Sequence, residues 1–199
     1  MTELFDESQA MREERKAVTA LDADIVGSTA LAERLDAEEV KLILGEAITR
    51  MIAAVEELGG TVKDLAGDGI LCLVGAPIPY VDHARRAMEM SLRMRERSGE
   101  VLSRWRAMGL ELGLGIGVAS GYVTVGVLGG SERLEYAAVG PPVNLAARLC
   151  ARAESGQILV DQRTVGLVGG NDRSRFERLE HEETLKGFSR PVVIHELVA

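Results

Sequence analysis

Two aspartates stand beside short apolar runs, where their carboxylates could bind a cation. Asp68 lies between two glycines, in a turn that joins the apolar runs 61–65 and 70–74, and Asp24 follows the apolar run 17–21. Taken alone, Asp68 is more simply explained as an ordinary turn residue. If the runs are neighbouring strands, however, the two carboxylates meet at one edge of a sheet, where they repel each other unless a proton or a cation lies between them. Oxygen ligands of this kind favour Mg²⁺.

Three other polar residues could contact a phosphate. A helix is predicted to begin near Pro141, because proline suits the first turn of a helix. Asn144 and Arg148 are four residues apart and therefore share one face of that helix; a solvated helix face is the simpler explanation of the pair. A guanidinium group also suits phosphate oxygens, and Lys186 is a further candidate contact. A carboxylate pair with separate cationic donors is what phosphoryl transfer requires.

The composition is that of an ordinary globular domain. Of 199 residues, 46% are hydrophobic and 27% are charged, which suits one folded domain and argues against disorder. The net charge of −8 argues against a nucleic-acid partner, since a duplex binder carries a basic face. No apolar run reaches transmembrane length and no signal peptide opens the chain, so we expect a cytoplasmic protein without a membrane segment. Cys72 and Cys150 are expected to be buried free thiols.

The first half of the chain shows clear boundaries between elements. Residues 1–16 are charged, and we expect a tail or a linker to a possible upstream regulatory domain, with a single catalytic domain over 17–199. The first strand is expected from Ala17 to about Asp24. Three elements are predicted next: a short helix that begins at 27–29, a helix that is capped by Asp36 and Glu39 and ends at Gly59-Gly60, and a hairpin around Asp68.

The second half is expected to repeat this alternation. The predicted elements are a helix from about Asp82 with an interruption at Ser98-Gly99, a hairpin over 110–127 with its turn at 119–121, a strand over 133–139, the helix from Pro141, a strand over 156–160, and the last strands within 175–198. This order predicts an α+β fold of the ferredoxin-like or palm type, a mostly antiparallel sheet with helices on one face.

Three motifs carry a resemblance to a known family. They are the segments 23–29 (Ala-Asp-Ile-Val-Gly-Ser-Thr), 67–69 (Gly-Asp-Gly) and 143–148 (Val-Asn-Leu-Ala-Ala-Arg). Over about residues 17–199 the chain resembles the catalytic domain of class III adenylate/guanylate cyclases. Each motif is weak alone, but their order and spacing together are specific, and the family fold agrees with the predicted order of elements.

The resemblance implies a site for two divalent ions, Mg²⁺ or Mn²⁺, below a nucleoside triphosphate. Asp24 and Asp68 would bind the ions together with the carbonyl oxygen of Ile25. The following stretch would hold the triphosphate, and its residues are Val26, Gly27, Ser28 and Thr29.

The resemblance also implies roles for the three phosphate-contact candidates. Asn144 would position the ribose, Arg148 would stabilise the pentacovalent phosphorus, and Lys186 would contact the terminal phosphates. The product would be a 3′,5′-cyclic nucleotide with release of pyrophosphate. In the family, the aspartates come from one subunit and the Asn and Arg from the other, so we expect a homodimer with two shared sites.

The positions that would read the purine base depart from the family pattern. A Lys is typical four residues before the second metal aspartate, where this chain has Asp64, and Lys63 stands one residue earlier. The partner position, commonly Asp or Thr, is Ala137. Because successive strand residues face opposite sides, Lys63 replaces a Lys at 64 only if the strand contains a bulge. We expect ATP rather than GTP as substrate, although a carboxylate at 64 could accept from either base.

Two other readings remain open from sequence alone. A degenerate cyclase domain that serves dimerisation or nucleotide sensing would explain the altered base positions, but it would not need the metal aspartates, Asn144 and Arg148. Another palm-type nucleotidyl transferase, such as a diguanylate cyclase, would lack an explanation for the Asn-x-x-x-Arg helix, and its Gly-Gly-Asp/Glu-Glu-Phe signature is absent.

Overall fold

Eight strands form one sheet that carries the candidate site. The computed structural model describes residues 13–130, 133–179 and 185–198. The strands are β1 (Glu14–Val26), β2 (Thr61–Ala66), β3 (Gly69–Val74), β4 (Gly113–Gly130), β5 (Arg133–Val139), β6 (Ile158–Asp161), β7 (Phe176–Arg178) and β8 (Ile194–Leu197). Their order is β2-β3-β1-β4-β6-β8-β7, with β5 paired to β4. Within the described residues, every pairing in the sheet is antiparallel except that of β4 with β6. The mostly antiparallel α+β fold is thus confirmed.

Helices cover both faces of this sheet. They are α1 (Ser28–Ala32), α2 (Ala37–Glu57), α3 (His83–Ala107), α4 (Pro141–Arg152) and α5 (Gln162–Val168), and a 3₁₀ helix spans Gly170–Arg175. Side chains alternate along β1: Leu21 and Ala23 belong to the core formed with α2 and α3, whereas Val18 and Ala20 belong to the core formed with α4. The prediction of helices on one face was therefore wrong, because β1 and β4 are apolar on both faces and each face needs a cover.

Strand β4 replaces the hairpin predicted over 110–127. Residues 119–121, predicted to be a turn, pair in register with Val18, Thr19 and Ala20 of β1 as part of one continuous ladder. The Ser120 hydroxyl also hydrogen-bonds Thr19. The small residues over 119–121 therefore serve close packing, not chain reversal.

Helix α4 lies unusually close to β4. A Cβ atom built on Gly117 would stand 2.1 Å from the Ala146 carbonyl oxygen and 2.3 Å from the Cys150 amide nitrogen. Only glycine leaves room for two backbones at this distance. The closeness fixes the depth at which α4 sits on the sheet, and hence the position of the side chains it carries.

Most of the other predicted boundaries agree with the structure. Helix α2 begins with the expected capping box, in which the Asp36 amide donates to Glu39, and Cys72 and Cys150 are buried and free. Strand β1 begins at Glu14, three residues before the expected Ala17. Helix α3 runs on through the predicted interruption because Val101 and Leu102, which follow it, are both buried, and Leu102 belongs to the core formed with α2.

No helix within the described ranges has the length and apolar character needed to cross a bilayer.

Candidate active site

The structure places Asp24 and Asp68 side by side at the end of the central strands. Asp24 is the last residue of β1 that pairs with β3, and its partner there is Gly69, which directly follows Asp68. The Ile25 amide donates to the Asp68 carbonyl oxygen at 3.1 Å. The β1–α1 connection and the β2–β3 turn are thereby held together, and they bring both carboxyl groups to one edge of the sheet, as predicted.

The closeness of the two carboxyl groups changes their electrostatics. Partial desolvation, the negative charge of Asp68 and a hydrogen bond between the two side chains raise the pKa of Asp24 above its ordinary value. Two carboxylates this close cannot both ionise cheaply without a cation. When both groups are ionised they repel each other, and a divalent ion would neutralise their negative charge.

The surroundings fit divalent ions. A Cβ atom on Gly69 would stand 2.5 Å from Asp24 Oδ1, so glycine here leaves the carboxylate its space. Within residues 13–130, 133–179 and 185–198 no group of three or more His, Cys, Asp or Glu residues could hold a metal. Carbonyl, hydroxyl and phosphate oxygens would have to complete the coordination of an ion at Asp24 and Asp68, as Mg²⁺ commonly allows.

The connection from β1 to α1 is fixed by one glycine. Gly27 has a φ of 90°, a left-handed conformation that favours glycine, and a Cβ there would stand 2.2 Å from the Glu111 carbonyl oxygen. The chain turns at Gly27 so that Ser28 is half-buried and Thr29 exposed. The Ser28 hydroxyl donates to Asp68 Oδ2, a contact that sequence reasoning did not foresee.

Three of the predicted phosphate contacts line one cavity: Asn144, Arg148 and Lys186. All three are exposed and line a space of about 620 Å³ beside the N-terminal end of α4. Asp24 and Asp68 are not among its lining residues. The structure thus brings the predicted phosphate contacts together, and it keeps the aspartate pair outside the cavity that they line.

The strand that carries Asp64 contains a bulge. In the pairing of β2 with β3, Val62 faces Cys72 and Asp64 faces Leu71, so that the register shifts by one residue at Lys63. This is the bulge that would let Lys63 and Asp64 project toward the same side. The Asp64 side chain is exposed and accepts from the Leu65 amide at 2.9 Å.

Ala137, the other predicted base contact, lies on a different strand from Asp64. It is half-buried in β5 and pairs with Gly126 of β4. Strand β4 and strand β2 are separated in the sheet by β1 and β3. Within one chain, the two positions predicted to read the base are therefore far apart along the sheet.

Asp22 is a third carboxyl group at this site that sequence reasoning missed. Desolvation by burial, and then the charges of Asp24 and Asp64, raise the pKa of Asp22 to about 6. The signal was present in the sequence, because residues two apart in a strand share a face. Asp22 therefore lies on the same side of the sheet as Asp24.

Comparison with known proteins decides the family. A sequence profile of the adenylate and guanylate cyclase catalytic domain matches residues 10–197. The chain belongs to this family. The resemblance seen in the three motifs is thereby confirmed for almost the whole cyclase domain.

Solved structures agree with this assignment. The adenylyl cyclase CyaB from P. aeruginosa is 32% identical, with a TM-score of 0.86 over 95% of this chain and 97% of that chain. The guanylyl cyclase Cya2 is 33% identical, with a TM-score of 0.83 over 94% of each chain. The cyclase domain thus has near-equal similarity to an adenylyl and to a guanylyl cyclase.

A curated relative is much longer than this chain. The uncharacterized protein Rv1320c of Mycobacterium tuberculosis is 33% identical over 181 residues, which are 90% of this chain and 30% of that protein. The cyclase domain therefore spans less than a third of this relative.

Proposed function

We propose that this domain converts a purine nucleoside triphosphate to its 3′,5′-cyclic monophosphate and pyrophosphate. The observation that carries the proposal is the contact between Asp24 and Asp68, where partial burial and the charge of Asp68 raise the pKa of Asp24. A domain that only dimerised or bound a nucleotide would gain nothing from holding two carboxyl groups together. Membership of the cyclase family supports the same conclusion.

Each polar residue of the three motifs would have a task in this reaction. Bound Mg²⁺ or Mn²⁺ would activate the ribose 3′-hydroxyl and neutralise phosphate charge. Asp24, Asp68 and the Ile25 carbonyl would hold these ions, while the backbone from Val26 to Thr29 holds the triphosphate. The 3′-oxygen would then lose its proton to solvent and form a bond to the α-phosphorus, while the bond between that phosphorus and the pyrophosphate oxygen breaks.

The cavity lined by Asn144, Arg148 and Lys186 would hold the ribose and the phosphates of the substrate. Asn144 positions the ribose, and the Arg148 guanidinium stabilises the negative charge that builds on the five-coordinate phosphorus. Lys186 neutralises the terminal phosphates. Because Asp24 and Asp68 lie outside this cavity, we propose that a second copy of the chain supplies them, which gives a homodimer with two equivalent sites.

We propose ATP as the preferred substrate over GTP. Adenine presents a donor, its 6-amino group, beside an acceptor, N1. The bulge at Lys63 supports a pairing in which the Asp64 carboxylate accepts from the amino group and the Lys63 ammonium donates to N1. The two solved cyclases of similar identity differ in their substrate and therefore favour neither nucleotide.

A second candidate is a non-catalytic domain for dimerisation or nucleotide sensing. The observation that favours it is Ala137, whose methyl group cannot hydrogen-bond a base. Such a domain would bind nucleotide without forming a product.

One experiment separates the two functions. The purified domain is incubated with ATP and, separately, with GTP in Mn²⁺, and the product is identified by mass. We expect a cyclic nucleotide that disappears in Asp24→Asn and Asp68→Asn and persists in the control Asp82→Asn, an exposed aspartate that pairs with Arg86 on α3. Nucleotide binding without a cyclic product from either substrate would overturn the proposal and favour the sensing domain.

A further inference from the structure

The hydroxyl of Ser28 is a further side-chain group at the aspartate pair. It donates a hydrogen bond to Asp68 Oδ2, although the two residues are 40 positions apart in the chain. Ser28 is half-buried, so water competes less for this hydrogen bond than it would at an exposed site. A hydrogen bond from a hydroxyl to an ionised carboxylate is among the stronger ones in proteins.

The backbone leaves Ser28 little freedom to move away. Gly27 turns the chain in a left-handed conformation against the Glu111 carbonyl oxygen, and Ser28 is then the first residue of α1. On the other side, the Ile25 amide holds the Asp68 carbonyl oxygen at 3.1 Å. Donor and acceptor are therefore both attached to backbone that is itself fixed.

The electrostatics of the pair give this hydrogen bond a purpose. Asp24 pairs with Gly69, the residue after Asp68, and two carboxylates held this close repel each other when both are charged. Without a restraint, Asp68 could rotate its carboxylate away from Asp24 and relieve that repulsion. A donor that occupies one oxygen of Asp68 keeps the carboxylate beside Asp24 even when no cation is bound.

We propose that Ser28 is a positioning residue that holds the Asp68 carboxylate in the orientation needed to bind a divalent cation with Asp24. The inference deepens the proposed function, since it concerns the same metal site. It assigns to the Ser28 side chain a task separate from the triphosphate contact expected of its backbone. The hydroxyl acts through Asp68 and need not touch the ion.

The test measures metal binding without turnover. The apparent Kd for Mn²⁺ is measured by electron paramagnetic resonance on the full chain, with saturating 3′-deoxy-ATP, which lacks the hydroxyl needed for cyclisation. The variants are Ser28→Ala, which removes the donor, and Ser28→Thr, which keeps it. The matched control is Thr49→Ala, which removes an exposed hydroxyl that donates to the Gly45 carbonyl oxygen within α2.

We expect Ser28→Ala to raise the Kd for Mn²⁺ by about tenfold, the usual effect of removing a group that orients a metal ligand. Ser28→Thr and Thr49→Ala should bind Mn²⁺ as the wild type does. In steady-state assays, the Mn²⁺ concentration for half-maximal rate should rise in Ser28→Ala and stay at the wild-type value in Thr49→Ala.

Other outcomes overturn the inference. Wild-type affinity in Ser28→Ala would show that the hydroxyl does not orient the ligand, and equal weakening in Ser28→Ala and Ser28→Thr would show that the site tolerates only the shape of serine. A wild-type chain that binds no Mn²⁺ would overturn it as well. If the wild type binds Mn²⁺ but forms no cyclic product, the proposed function is wrong. The role of Ser28 is then still decided by the Kd values of the variants.

Discussion

Asp22 shows how a single side chain can oppose the stability of the fold around a functional site. Its charged form is disfavoured by burial and by the neighbouring Asp24 and Asp64, and its pKa is raised to about 6. Between about pH 4 and pH 6 the folded chain therefore binds a proton more tightly than the unfolded chain does. By linkage, the free energy of unfolding must fall as the pH rises through this window, and the loss is complete above it.

We therefore expect Asp22→Asn to stabilise the metal-free protein at pH 7.5. The gain should be about 1–3 kcal/mol, because each pKa unit corresponds to about 1.4 kcal/mol. Urea unfolding followed by circular dichroism, in EDTA, at pH 4.5 and at pH 7.5, measures the effect. At pH 4.5 the difference between the two proteins should nearly vanish, and a gain of equal size at both pH values would contradict the assignment.

Asp64 and Lys63 test the reading of the base. If the Asp64 carboxylate accepts from the adenine amino group, Asp64→Ala should lower kcat/KM for ATP by about tenfold, the usual cost of losing a hydrogen bond to a charged group. The rate with GTP should change less. Initial rates with both nucleotides give the ratio, and Asp36→Ala, a capping residue on α2 outside the site, is the control. If Asp64→Ala leaves the ratio of kcat/KM for ATP to kcat/KM for GTP unchanged, Asp64 does not contact the base.

Some of the site could be predicted from sequence and some could not. The meeting of Asp24 and Asp68 was predictable because each carboxylate stands beside an apolar run, and strand ends converge at sheet edges. The contact between Ser28 and Asp68 was not, because it depends on how the chain turns at Gly27. Single hydroxyl contacts arise from backbone detail that no periodicity encodes.

At the scale of elements, the close packing of α4 against β4 determines the positions of Asn144 and Arg148. A methyl group on Gly117 would collide with the backbone of α4 at Ala146 and Cys150. Backbone cannot move aside as a flexible side chain does, so the helix itself must shift.

Gly117→Ala should therefore destabilise the protein by about 1–3 kcal/mol, the usual cost of overpacking a core, and should lower cyclase activity more than an equal loss of stability elsewhere. Gly99→Ala is the control, since nothing lies within 4 Å of a Cβ there and alanine favours a helix interior by about 1 kcal/mol. Thermal unfolding and initial rates compare the two variants. A stable and active Gly117→Ala protein would mean that α4 is free to adjust.

The failed prediction of a hairpin over 110–127 has a cause at this scale. Small residues at 119–121 favour a turn locally, but β1 is 13 residues long and offers a partner to every residue of β4 from Gly113 to Val125. Pairing between distant segments is a tertiary effect that local turn preference does not contain. The helix α5 was missed for a different reason, since its cap, Asp161, is also the last residue of β6, and no loop marks the change.

At the scale of the whole molecule, mutation can test the proposal that two subunits share each site. Asp24→Ala removes a proposed metal ligand, and Arg148→Ala removes the guanidinium proposed to stabilise the phosphorus. Each variant alone should therefore be inactive. Mixed together, they should form heterodimers with one intact site, and activity should return to a fraction of the wild-type rate.

The mixing experiment needs its own reference. A sample of each variant alone, at the same total concentration and after the same exchange time, gives the background rate. Size-exclusion chromatography shows whether mixed dimers can form. If the mixed sample contains dimers but stays at background, each site is built within one chain, and the proposed sharing between subunits is wrong.

The cavity of Asn144, Arg148 and Lys186, which excludes the aspartates, has one more implication for a living cell. If a second copy of the chain completes the site, as proposed, the activity of the protein depends on its concentration. While single chains predominate, doubling the amount of protein would raise the output of second messenger about fourfold, because pairing follows the square of the concentration. A neighbouring module that merely gathers such chains would then switch the signal on without touching the chemistry.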